Sequence, residues 1–128
     1  TGTVGFNITA ADSEFNAGGP VQGTVLLDNT APGAITITIS DPDSIYRNGE
    51  TVRLVASTDA SGYTVTADFS AIDNNYVAGS ENVQDNGNGT YTITYTISET
   101  NTRANGGYTI TVTAADGAGN TTSGTKIL

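Results

Sequence analysis

Isoleucine, valine and tyrosine alternate with threonine through much of this chain, and no other feature narrows its fold as much. Ala34–Ser40 reads A-I-T-I-T-I-S, Thr51–Ser57 reads T-V-R-L-V-A-S and Tyr63–Ser70 reads Y-T-V-T-A-D-F-S. Thr90–Ser98 reads T-Y-T-I-T-Y-T-I-S and Tyr108–Ala115 reads Y-T-I-T-V-T-A-A, with a last short strand near Gly124–Leu128. Successive side chains of a strand point to opposite faces. Ile35, Ile37 and Ile39, or Tyr91, Ile93, Tyr95 and Ile97, therefore share one face and the threonines take the other. β-Branched and aromatic side chains suit such a pleated, half-buried surface. One apolar and one wet face per strand predicts an all-β fold: antiparallel sheets packed as a sandwich of about seven strands.

Turn formers separate these segments: Asp-Pro-Asp-Ser at 41–44, Arg-Asn-Gly-Glu at 47–50, Asp-Asn-Gly-Asn-Gly at 85–89 and Asn-Gly-Gly at 105–107. No stretch carries a helical period. The longest segment without strand alternation, Ala71–Asn88, has room for a short edge strand and a functional loop.

The 128 residues suffice for one compact β-domain with some length to spare. Thirteen acidic residues against four basic ones give a net charge of −9, which repels a nucleic-acid backbone. The absence of cysteine rules out a disulfide framework and a thiolate metal site. The absence of histidine removes the commonest general base and the usual transition-metal ligand. Carboxylate pairs such as Asp41 and Asp43 are what a glycosidase uses, but no tryptophan and no aromatic-lined groove accompany them, and the chain reads as no enzyme. No apolar run approaches the ~20 residues that span a bilayer, so no membrane insertion is expected and the chain reads as a soluble piece of something larger.

An internal repeat organises the chain. Val4–Asn16 lies over Tyr108–Asn120 at an offset of 104, matching Thr-Ala-Ala-Asp and the final asparagine, and Gly23–Leu27 lies over Gly124–Leu128 at an offset of 101. The expected division is residues 1–27 as the last two strands of a preceding repeat or an exchangeable N-terminal hairpin, 28–33 as a junction, and 34–128 as a complete domain. Two strands do not make a stable domain. The hairpin must pack within this chain, on another domain, or on a neighbouring subunit by strand addition.

Asp28-Asn-Thr-Ala-Pro32, Asp85-Asn-Gly-Asn-Gly-Thr-Tyr91 and the run Tyr108–Asn120 resemble the immunoglobulin-like domains repeated in tandem in bacterial and archaeal surface proteins, adhesins and S-layer proteins. The resemblance covers Asp28–Leu128 and, by repetition, Val4–Leu27. It implies an immunoglobulin-like sandwich with an additional N-terminal β-hairpin, an extracellular location at a cell surface or in a secreted filament, a load-bearing or spacer role, and often calcium. Asn105-Gly-Gly-Tyr108 is similar to the corner in which a tyrosine hydroxyl bonds back to nearby backbone.

Calcium takes six to eight oxygen ligands. The loops offer Asp12, Glu14, Asp28, Asn29, Asp41, Asp43, Asp116 and Asn120, whose other reading is ordinary turn chemistry. The doubled Asn-Asp of a cadherin linker is missing. Asp85-Asn-Gly-Asn-Gly opens like an EF-hand loop, but Thr96 stands where the bidentate glutamate is required, and a tight hairpin turn is the better reading. Asn7, Asn88 and Asn120 begin Asn-x-Thr glycosylation acceptors. The leading expectation is a structural or adhesive module whose partners are neighbouring copies of the same kind. The rival is a carbohydrate- or protein-binding adhesin module, for which the loop residues Tyr46 and Tyr76 would have to be exposed close together.

Overall fold

The structure is a computed structural model that describes residues 1–10, 18–41 and 45–128. Among the described residues there is no helix, and the chain divides into two compact units, Thr1–Thr30 and Ala31–Leu128.

The first unit is a two-stranded antiparallel hairpin, β1 (Gly2–Ile8) and β2 (Val21–Leu27). Val4 stands opposite Val25, Phe6 opposite Gly23 and Ile8 opposite Val21, so the alternation gathers these side chains and Leu27 on one face. Thr3, Asn7, Gln22, Thr24 and the exposed Leu26 fall on the other. The apolar face is not covered: Val4 is 50% exposed, Ile8 59% and Val21 66%.

The second unit is an immunoglobulin-like sandwich. Its seven strands are β3 (Thr36–Ile39), β4 (Thr51–Ser57), β5 (Thr64–Asp68), β6 (Asn82–Asp85), β7 (Thr90–Thr96), β8 (Thr109–Ala115) and β9 (Thr121–Ile127). One sheet has the order β3-β4-β7-β6 and the other β5-β8-β9. Lettered A to G, this is the A-B-E-D and C-F-G arrangement of an immunoglobulin constant-type sandwich.

The core forms where the inner rows of the two sheets meet. Val52, Leu54 and Ala56 of β4 stand opposite Tyr95, Ile93 and Tyr91 of β7. Val65 and Ala67 of β5 stand opposite Ala114 and Val112 of β8. A small side chain faces a large one at Ala56–Tyr91 and Ala67–Val112, the size matching that a close-packed interior requires. Each fully buried isoleucine or leucine contributes about 1.5–3 kcal/mol. On the outer faces hydroxyls pair across strands, Thr51 with Thr96 and Thr113 with Ser123, both at 2.8 Å. Arg53 lies mid-β4 opposite Thr94, and Lys126 lies in β9 opposite Ile110.

Several strand limits differ from the sequence expectation. β9 begins at Thr121 rather than near Gly124, because Thr121, Thr122 and Ser123 pair with β8 although no apolar residue marks them. β3 is shorter than Ala34–Ser40 and β5 shorter than Tyr63–Ser70. β7 ends at Thr96, yet Ile97 stays buried because its N–H donates to the Glu50 carbonyl and its own carbonyl accepts from Gly49. The Asp85–Gly89 turn behaves as its glycines require. Gly89 has φ +76°, and a Cβ there would lie 3.1 Å from the Thr58 carbonyl oxygen.

Truncating Ile110, fully buried in β8, to alanine is expected to lower the stability of the sandwich by about 2–5 kcal/mol in urea unfolding. Leu26→Ala, at a position 73% exposed in β2, is expected to change it by less than about 0.5 kcal/mol.

Candidate functional site

Strand direction sorts the loops of the sandwich into two poles. Pro32, the β4–β5 loop, the β6–β7 turn and the β8–β9 turn gather at one end. The β3–β4, β5–β6 and β7–β8 connections and Leu128 gather at the other.

At the Leu128 pole Asp73 is the hub. It is 1% exposed, in the connection that carries the chain from one sheet to the other. Its Oδ2 accepts the Tyr95 hydroxyl at 2.8 Å and the Ser98 N–H at 2.6 Å, and its Oδ1 accepts the Asn75 N–H at 2.8 Å. Burial pushes the carboxyl upward, but those N–H bonds, the Tyr95 hydroxyl and the Arg103 charge outweigh it and hold Asp73 below the ordinary aspartate range. Burial, and the bond to Asp73, push Tyr95 up to about 12.

Asparagines tie the same loops together. Asn101 donates to the Ile72 carbonyl at 2.9 Å and accepts from the Asn74 N–H, while Asn48 donates to the Asn101 carbonyl at 2.8 Å. The Arg103 guanidinium donates to the Ser70 carbonyl at 2.8 Å. At the start of β8 the Tyr108 hydroxyl donates to the Ala104 carbonyl, the back-bonded corner expected from the sequence.

At the Pro32 pole Asp59 accepts the Gly33 N–H at 2.9 Å and the Tyr63 hydroxyl at 3.1 Å, fastening the residues that lead into β3. The Gly33 bond holds its carboxyl below the usual range. The Thr122 hydroxyl donates to the carbonyl of buried Pro32. Asp116 shapes the β8–β9 turn by accepting from the Ala118 and Asn120 N–H groups and from the Asn120 side-chain amide, each at 2.9 Å.

Within unit 31–128 the structure separates the described calcium candidates. Asp28 and Asn29 belong to the first unit, where Asp28 accepts from Thr1 and Thr30. Asp41 follows β3 at the Leu128 pole, whereas Asp116 and Asn120 lie at the Pro32 pole, so Asp41 and Asp116 cannot ligate one ion. Asp12, Glu14 and Asp43 lie outside the described residues. Among the described residues no group of three or more carboxylates is placed to hold a metal ion. Of the glycosylation acceptors, Asn7 and Asn88 are exposed, while Asn120 is half-buried with its amide nitrogen on Asp116.

Tyr46 and Tyr76 do not form an exposed platform. Tyr76 stands edge-on to Phe69 and Tyr95, which stack at 4.7 Å, and its hydroxyl donates to the Ala67 carbonyl and contacts Glu81 at 2.8 Å. Burial, and then Glu81, push that hydroxyl up to about 12. Tyr46 lines a separate cleft of about 580 Å³ with Arg47, Asn101, Arg103 and Tyr108, and both rings pack against the core.

Sequence reading missed Asp73 and the asparagine ties, because Asp-Asn-Asn at 73–75 has the composition of any turn. The one available signal was Asp73 following Phe69 and Ile72, apolar residues in a loop too long for a simple turn. Comparison with known proteins finds no matching family model, curated protein or solved structure.

Asp73→Asn removes the charge and one acceptor, and is expected to cost about 1–3 kcal/mol in urea unfolding at pH 7. Because the native carboxyl binds its proton less readily than the unfolded one, its contribution is complete above the unfolded value near 4 and is lost as pH falls through the lower native value. Stability of the parent chain should therefore drop below about pH 4, and the Asp73→Asn profile should be flatter there.

Proposed function

We propose that this chain is a structural or adhesive repeat module of an extracellular surface protein or filament, linking like modules end to end and bearing load along its length. The observation that carries the reading is that the sandwich is entered at Pro32 and left at Leu128, at opposite poles. β9 alone spans about 20 Å between them at ~3.4 Å per residue.

The strands next to those two points favour resistance to tension. Thr122 bonds to Pro32, and a Cβ on Gly124 would lie 2.9 Å from the Ile35 carbonyl oxygen, so the start of β3 runs beside β9 in the same direction. Tension between Pro32 and Leu128 pulls β3 and β9 lengthwise. Ladder hydrogen bonds lie across the strands, so a lengthwise pull loads them together, in shear. The Asp59–Gly33 bond and the Tyr108–Leu128 backbone pair fasten the two points of load. The tandem-repeat resemblance and the internal repeat support the same reading. The binding alternative is less favoured, because Tyr46 and Tyr76 are built into separate walls of the core.

The chain has no cysteine, so engineered cysteines give clean attachment points. Pulling a single molecule by positions 31 and 128 is expected to need a higher rupture force than pulling by 107 and 128. The second pair lies at one pole and peels β9 from β8 bond by bond. Equal forces in the two geometries would overturn the load-bearing reading.

A further inference from the structure

We propose that the β1–β2 hairpin is the sixth and seventh strand of an immunoglobulin-like sandwich whose first five strands are supplied by a segment immediately upstream in the same polypeptide. That segment's apolar sheet covers Val4, Phe6, Ile8, Val21, Val25 and Leu27. The inference rests on the serial-module reading above and adds to it a specific occupant for an open face.

The same molecule shows what such a face packs against. By the repeat, Val4, Phe6, Ile8 and Ala10 correspond to Tyr108, Ile110, Val112 and Ala114, while Val21, Gly23, Val25 and Leu27 correspond to Thr122, Gly124, Lys126 and Leu128. Ile110, Val112 and Ala114 are fully buried against the β3-β4-β7-β6 sheet, and Tyr108 packs against the same core. Thr122, Gly124, Lys126 and Leu128 are the half-buried positions of their strand. Every residue of the open face thus has a counterpart on the inward face of β8–β9. The open face carries no polar or charged side chain, whereas its half-buried β9 counterpart carries Thr122 and Lys126.

Gly23 carries the correspondence further. In the sandwich Gly124 has no side chain where the Ile35 backbone passes. In the hairpin the matching place over Gly23 is filled by the hairpin's own Phe6 ring, against which any Cβ would collide. The present pairing sets Phe6 opposite Gly23, whereas the β8–β9 register, carried over by the repeat, sets Ile8 there. A shift of two residues keeps every side chain on its face. In the docked state Phe6 leaves Gly23, enters the core as Ile110 does, and the first strand of the upstream segment passes over Gly23.

A second copy of this chain is the weaker occupant, because its own β8–β9 already covers its β3-β4-β7-β6 sheet. The upstream segment has no such cover.

The test places residues 28–105 directly before Gly2 of the full chain, so that strands β3–β7 stand in for the upstream segment at the repeat's own spacing. Amide hydrogen exchange is then followed in both β1–β2 and unit 31–128. Protection of β1 and β2 is expected to rise by about two orders of magnitude or more over the parent chain. Phe6→Asp should abolish the gain and Thr3→Asp, on the opposite face, should retain it. Hairpin exchange unchanged in the fusion, with unit 31–128 exchanging as in the parent, would overturn this inference and leave the serial module standing. Disturbed exchange in unit 31–128 would instead overturn the serial reading. A doubled mass of the parent chain by light scattering, with hairpin protection that grows with concentration, would make a second copy the occupant and overturn the proposal.

Discussion

The buried carboxylate of Asp73 is the contact on which the Leu128 end of the sandwich depends. The chain must cross from β5 in one sheet to β6 in the other, and Asp73 fixes that crossing to β7 through Tyr95 and to the segment after it through Ser98. Removing a carboxylate from water costs several kcal/mol unless its lone pairs are occupied, and here three hydrogen bonds occupy them. The Phe69–Tyr95 stack and the Tyr76–Glu81 pair close the same corner from the β5 side. A crossover that would otherwise be a loose loop thereby becomes part of the core.

The strands were legible because threonine alternation is a one-dimensional record of a two-faced sheet. Val52, Leu54, Tyr91, Ile93, Tyr95, Ile110 and Val112 sit inside as the period-2 reading requires. The Asn-Gly turns were legible for a related reason, since positive φ at Gly87 and Gly89 is a local demand that only glycine meets cheaply. β6 was harder to read: in Asn82–Asp85 only Val83 is apolar, and the strand exists because it pairs with β7. Asp73, Asn48 and Asn101 were hidden for a deeper reason. Their partners in other loops and strands lie 22 to 53 residues away, and nothing local separates an aspartate that ends a turn from one that locks two loops. Of the carboxylates expected as ligands from loop composition, Asp41 and Asp116 are parted by the same topology, since one strand's length carries Asp41 to the opposite pole.

The two units express one design rule with different outcomes. In β8–β9 the inward face meets a sheet, Ile110, Val112 and Ala114 vanish from solvent, and the inward residues of β9 are half-buried. In β1–β2 the same parity of apolar residues faces outward, and no charge or proline interrupts the strands themselves. Natural edge strands usually carry such interruptions as protection against unwanted pairing. Their omission leaves both hairpin edges without that protection.

The positions of the basic side chains have a consequence for proteolysis. Arg53 is in the middle of a central strand, Lys126 is paired opposite Ile110, and Arg103 holds the Ser70 carbonyl. A protease that cuts after lysine or arginine needs several residues of extended, unpaired chain in its cleft. Cleavage at Arg53 or Lys126 therefore awaits the opening of a core strand, and its rate follows the free energy of that opening. Arg47 and Arg103 lie in exposed connections, so digestion at Arg53 and Lys126 is the part that measures the cooperativity of the fold.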